Sequence, residues 1–166
     1  MARTHGDVTV TLSILDRLID EEPGSQVEAP LTRSQSVRKL KQAVQRDLVA
    51  LLNTRRIFEE PEESLAQVNR SVYVYGLPDF SSYSMNSSTD QTKLVRQVLA
   101  TIKMFEPRLG NVRIVPGEPT EAGLQQLRLR IEALLLMDPS PEPVSFDTVI
   151  ELKSGVCRIA GGANAG

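Results

Sequence analysis

The chain has 166 residues, close to the ~150 expected of one domain or one domain with arms. At this length a chain buries roughly 68–70% of its unfolded surface, so the fold calls for neither a metal nor a disulfide. Its 19 basic and 21 acidic residues give a net charge of -2, which argues against a dedicated nucleic-acid binder whose affinity rests on neutralising phosphates. Aromatics are 4% of the chain and Trp is absent, so the core is expected to be aliphatic.

The rare residues exclude further classes. One cysteine, Cys157, cannot form an intrachain disulfide, and the single histidine, His5, lies near the N-terminus. A closed zinc site takes four Cys or His ligands, so no metal or cofactor is expected. The start, Met1-Ala2-Arg3-Thr4-His5-Gly6-Asp7, lacks the apolar stretch of a secretory signal. Apolar runs such as Ala133 to Met137 are far short of the ~20 residues that span a bilayer. These features read as a cytoplasmic, soluble chain with no membrane insertion.

Residues 1–33 read as an N-terminal arm and linker. Leu12, Leu15, Leu18 and Ile19 recur at helical spacing, which predicts one or two turns from about Ser13 to Asp20. So short a helix is marginal alone and must dock to persist. Glu21-Glu22-Pro23-Gly24-Ser25 then breaks it. Six acids and one arginine between Asp7 and Glu28 read either as a solvated linker or as a docking peptide for another subunit.

Residues 34–160 read as a single α+β domain: two main helices packed on a small, mainly antiparallel C-terminal sheet. Val37, Leu40, Val44, Leu48, Leu51 and Leu52 predict a long helix over about Ser34 to Asn53 with one apolar stripe. From Arg33 to Arg56 there are seven bases and one acid, Asp47. That basic face is either solvated or a contact for an acidic partner or phosphate, although no aromatics interleave for base stacking.

Residues 57–87 are loop-rich. Leu65 to Arg70 could form a short helix, and Ser71-Val72-Tyr73-Val74-Tyr75 has strand-like residues stopped by Gly76-Leu77-Pro78-Asp79. Ser88 with Gln91 fits a capping box opening the second helix, which carries Leu94, Val95, Val98, Ile102 and Phe105 inward. Pro107 disfavours helix at Glu106 and ends it.

Periodicity then changes from 3.6 to 2. Val112 and Ile114 predict a short strand stopped at Pro116. Leu127, Leu129, Ile131, Ala133 and Leu135 alternate with Arg128, Arg130 and Glu132, the pattern of a half-buried strand. After the proline-rich Asp138 to Pro143, Val144, Phe146, Thr148 and Ile150 predict another strand. Lys153-Ser154-Gly155 predicts a hairpin turn into Val156 to Ala160, and residues 161–166 read as a disordered tail.

Enzyme motifs are missing: no phosphate-binding loop, no dinucleotide-binding glycines and no nucleophile elbow. Cys157 has no histidine in the folded region to generate its thiolate, and reads as a small apolar strand residue. Glu106, Glu132 and Asp147 are candidate carboxylates for a glycosidase, but their spacing picks out no pair. One constellation stands out. In Glu106-Pro107-Arg108-Leu109-Gly110, proline fixes a turn between helix and sheet, placing an acid and a base on one rigid corner from which both side chains should project. The corner reads either as local capping chemistry or as an anchor for a partner.

Several segments carry a resemblance in their order and spacing. They are Leu12 to Leu18, Ser36-Val37-Arg38, Asp47-Leu48 with Leu51 to Arg56, and Tyr75-Gly76-Leu77-Pro78-Asp79. Phe105-Glu106-Pro107-Arg108-Leu109, Arg130 to Leu135 and Val144-Ser145-Phe146-Asp147 follow. Together they resemble the TssE family of type VI secretion baseplate subunits, related to the "lysozyme-like" wedge protein of contractile phage tails. The resemblance implies a non-catalytic structural part, held in the wedge by TssF and TssG near TssK. It also implies that the sheet offers strands for the first TssB–TssC sheath layer to extend, in a cytoplasmic baseplate docked at the inner membrane. By the same analogy Glu106, Pro107 and Arg108 anchor the protein, while the arm residues Leu12, Leu15, Leu18 and Ile19 read as a second partner contact. A peptidoglycan-cleaving enzyme and a nucleic-acid-binding module using the basic helix are the alternatives.

Overall fold

The structure, a computed structural model, describes residues 10–19, 23–24, 31–84, 87–117 and 126–163. His5, most of the linker and residues 164–166 lie outside the described residues.

The arm helix α1 covers Ile14–Leu18, with the Ser13 hydroxyl accepting from the Asp16 N–H at 3.2 Å. The long helix α2 covers Arg33–Asn53 and opens on a capping box. Its Thr32 N–H donates to Gln35 Oε1 at 2.8 Å, while Gln35 N–H donates back to Thr32 Oγ1 at 3.3 Å. That Thr-x-x-Gln spacing was legible in the chain and starts the helix one residue before the expected position. Helix α3 covers Ser88–Phe105, but its cap is Ser87, whose side chain accepts from Asp90 N–H, and not Ser88.

Ser71 to Tyr75 is not a strand. Two 3-10 turns, Val68–Arg70 and Val72–Val74, occupy the segment. Ser71 Oγ accepts from the Tyr73 N–H, and Val74 N–H donates to the Ser71 carbonyl, so local bonds satisfy the backbone that a sheet would otherwise pair. The next residues fasten to the end of α2: Leu77 N–H donates to the Thr54 carbonyl at 2.9 Å, and Arg56 N–H to the Leu77 carbonyl at 2.8 Å. Gly76 permits this approach. Its φ is +101°, and a Cβ there would run into the Thr54 carbonyl oxygen.

Strands β1 (Leu109–Pro116), β2 (Gln126–Leu135), β3 (Glu142–Glu151) and β4 (Cys157–Ala163) form an antiparallel sheet in the order β1-β2-β3-β4. The period-2 pattern is realised in register: Leu127 pairs with Ile150, Leu129 with Thr148, Ile131 with Phe146 and Ala133 with Val144, all buried. In β1 the buried residues are Leu109 and Val112, three apart, because a register shift between Gly110 and Arg113 inserts a bulge. Asn111 in that bulge has φ +50°. β4 extends through Gly161-Gly162-Ala163, assigned above to the tail, with Ala163 opposite Ser145.

The fold is thus α+β, with α2 lying against β4 and α3 against β1. Between the layers Val44, Leu48, Leu52, Leu94, Val98, Ile102, Ile131 and Phe146 are fully enclosed. At the far end of α2, Asn53 Nδ2 donates to the Cys157 carbonyl and its Oδ1 accepts the Cys157 N–H, at 2.9 and 2.8 Å. One amide side chain therefore joins the last turn of a helix to the first residue of a strand.

Candidate functional site

Helix α3 stops at Glu106, whose N–H still donates to the Ile102 carbonyl at 2.8 Å. Pro107 is exposed, and the chain turns directly into β1. Glu106 does not project from the corner. It is only 3% exposed, and both of its carboxylate oxygens accept from Arg108, Oε1 from Nε at 2.6 Å and Oε2 from Nη2. A carboxylate that deep needs a charged partner, and the residue two positions on provides a forked one. Arg108 also reaches across to α2, where its Nη2 bonds Asp47 Oδ2 at 2.7 Å. Its guanidinium is held far above any accessible titration by Glu106 first, with burial opposing and Asp47 assisting.

The network continues along α2. Arg46 donates to Asp47 Oδ1 from Nε at 2.9 Å, and its Nη1 meets Asp16 of the arm at 2.8 Å. Five side chains of alternating charge, Glu106, Arg108, Asp47, Arg46 and Asp16, therefore link the corner to the arm. Asp47 was missed as a site residue, yet a signal was present: it is the one acid among seven bases between Arg33 and Arg56. Tyr75 lies beside the corner, its ring edge-on to Phe105 at 5.1 Å. Burial, and then the charges of Asp47 and Glu106, push its hydroxyl pKa up.

The arm residues divide. Leu12, with Val10, packs against the core cluster, and Val10 N–H donates to Ser36 Oγ at 3.2 Å. Leu15, Leu18 and Ile19 stay largely in solvent, as does Ile14. Leu12 and Ile19 line a cleft of about 280 Å³ against Ala43 and Arg46 of α2. The arm thus lies on the domain through one apolar edge and one ion pair, with its other apolar side uncovered.

The remaining candidates are occupied by packing or pairing. Cys157 is buried in β4, where desolvation pushes its thiol up to about 12. Asp147 pairs with Arg130 across the outer, polar face of the sheet at 2.8 Å. No group of His, Cys, Asp or Glu among the described residues could hold a metal ion. No described helix is long and apolar enough to cross a membrane.

The principal polar site of this two-layer α+β protein is an internally paired network with its carboxylates turned to arginines. The model of the family described as Baseplate wedge protein gp25 matches residues 38–140, and the chain belongs to that family. The resemblance to TssE falls within it, and the family carries a structural role in a phage-tail-like baseplate, in contact with other baseplate components. No curated protein and no solved structure matches the chain. The matched span contains Arg46, Asp47, Glu106 and Arg108 but not the arm.

Proposed function

We propose that this protein is the wedge subunit of a type VI secretion baseplate, joining the wedge to the contractile sheath and starting sheath polymerisation. The observation that carries this is the sheet: a four-stranded antiparallel meander whose outer strands, β1 and β4, have no further partner strand among the described residues. Open edges present rows of N–H and C=O groups to an incoming strand. The edges differ. β1 carries a bulge, Arg113 and Pro116, devices that deter pairing. β4 has a register shift and Arg158 of its own, and α2 already bonds the Cys157 backbone through Asn53 and the Ile159 carbonyl through Gln45, but residues 160–163 carry no charge or proline. The end of the β4 edge, residues 160–163, is therefore where strands of the first TssB–TssC layer add.

TssF and TssG hold the protein near TssK, in the cytoplasm at the inner membrane. The exposed Leu15, Leu18 and Ile19, with Leu12 behind them, form one attachment, and Pro107 and Arg108, braced by Glu106, form the other. The protein is not an enzyme in this reading and takes no cofactor or nucleic acid. Co-purification with TssF and TssG, together with loss of fluorescent TssB foci in cells lacking the chain, is expected. Normal foci without it, or peptidoglycan turnover by the purified protein that Glu106→Gln abolishes, would overturn the reading.

A further inference from the structure

Beside the end of α3 the loop after Arg55 leaves an open cleft of about 250 Å³. Its floor includes buried Val74, and Ile57, Pro61 and Met104 line it, with Ile57 and Met104 each about half exposed at 51% and 49%. The volume is below the roughly 300 Å³ at which small-molecule pockets begin, and suits one or two inserted side chains. Next to Ile57, Phe58 is 97% exposed, a whole aromatic ring held in water. Aromatic residues are enriched at protein interfaces because they bury a large area at low entropic cost.

The charge around this surface is mainly acidic, three glutamates lining it against one arginine, Arg56. Phe58 is followed by Glu59-Glu60-Pro61-Glu62-Glu63, and Glu59, Glu60 and Glu63 line the cleft. Arg56 reaches Glu60 at 3.3 Å, while Glu59, Glu62 and Glu63 make no ion pair among the described residues. None of the strands β1–β4 borders the cleft, whose lining comes from loop, 3-10 turn and the end of α3. An occupant therefore finds no strand edge to pair with here, and a helix, which satisfies its own backbone, suits the cleft.

We propose that this surface docks a basic amphipathic helix of another protein. Apolar side chains on one face of that helix fill the cleft between Ile57 and Met104. Phe58 inserts between them from the side, and Lys or Arg residues flanking the apolar face meet Glu59 and Glu63. The cleft adjoins the corner but is lined by no residue of the β4 edge, of Glu106-Pro107-Arg108 or of the arm, so the proposal stands whether or not the sheath reading does.

The test uses the full chain and a fluorescent synthetic helix of Leu and Lys, with leucines at i, i+3, i+4 and i+7, read by anisotropy. A second peptide has Glu in place of every Lys. The Lys peptide should bind saturably and weaken as salt rises, and the Glu peptide should bind at least about tenfold more weakly. Ile57→Asp with Met104→Asp should lose at least about tenfold in affinity. Glu59→Gln with Glu63→Gln, both at exposed positions where folding is not at stake, should weaken binding and flatten its salt dependence. Leu136→Asp, at an equally exposed leucine elsewhere, should bind as the wild type does. Absence of binding by the Lys peptide, equal binding of the two peptides, wild-type binding by either cleft variant, or loss in Leu136→Asp overturns the proposal. So does a dimer in sedimentation that the Ile57 and Met104 substitutions dissolve, because the occupant is then a second copy of this chain.

Discussion

Removing Arg108 should harm the fold more than removing its partner Glu106. Arg108→Ala leaves the Glu106 carboxylate enclosed at 3% exposure, without the two bonds that hold it there. Breaking a fully buried pair from one side costs ~3–5 kcal/mol; with the Arg108 side chain 25% exposed, water reaches this corner and about 2–4 kcal/mol is expected. At ~2–4 °C per kcal/mol for a chain of this size, the midpoint should fall by ~4–16 °C. Glu106→Ala leaves a guanidinium that keeps Asp47 and reaches solvent, so its cost should be only ~1–2 kcal/mol. Urea titration of both variants gives the two numbers. Arg108→Ala within about 0.5 kcal/mol of wild type, or Glu106→Ala the more costly, would refute the enclosed-pair reasoning. For the anchor reading, sheath foci in Arg108→Ala cells must be judged against Leu94→Ala. That core variant should lose a similar ~2–5 kcal/mol without touching the corner, and should keep its foci.

Cys157 should resist iodoacetamide at pH 8 and react only in denaturant, because burial holds it as a thiol; rapid native alkylation would contradict the packing. Burial raises the Asp16 carboxyl, but the Ser13 hydroxyl and the Arg46 guanidinium outweigh it and hold it below its ordinary value. Its contribution to arm docking should therefore be full above the unfolded value of ~3.9 and lost as pH falls through the lower folded one. A carboxyl titration by NMR reads this, and Arg46→Ala should move Asp16 back toward the ordinary value. Gly76→Ala should destabilise by more than the ~1 kcal/mol of an ordinary glycine replacement, since its Cβ meets the Thr54 carbonyl at positive φ; an unchanged urea midpoint would sink that account.

Both main helices and all four strands were readable because each buries one stripe, and the stripe imposes its period on the chain. Leu48 and Leu52 face inward for the same reason that Ile131 and Ala133 do. Errors fell where local hydrogen bonds, not burial, decide the conformation. Val72 and Val74 look like strand residues, but the Ser71 side chain and carbonyl turn the segment into a 3-10 helix. The capping position of α3 shifted by one because Ser87 and Ser88 are equivalent as a pattern and only one is placed by the fold. In β1, regular alternation would set Val112 opposite in facing to Leu109, and the bulge at Asn111 brings both inward. At the corner, spacing revealed that an acid and a base are close; it could not reveal that the acid is turned inside. That depends on Asp47, 61 residues away from Arg108, sharing the guanidinium.

That sharing gives the corner and the arm a common dependence. Arg108 holds Asp47 through one oxygen, and Arg46 holds the other while also holding Asp16 of the arm. A partner that drew Arg108 outward would leave Asp47 to Arg46 alone and strengthen Arg46's engagement there. Its bond to Asp16 comes from a separate nitrogen, Nη1, so what Asp16 would lose is the attraction of the Arg108 charge. The family match begins at residue 38, so this dependence joins a part of the chain inside the matched span to one outside it. In an assembly, engagement of the corner would then reduce the arm's electrostatic hold and leave more of it to Leu12 and Val10. The exposed face of Ile14, Leu15 and Leu18 would be free to follow a neighbouring subunit, and its uncovered apolar surface is what such a move would bury.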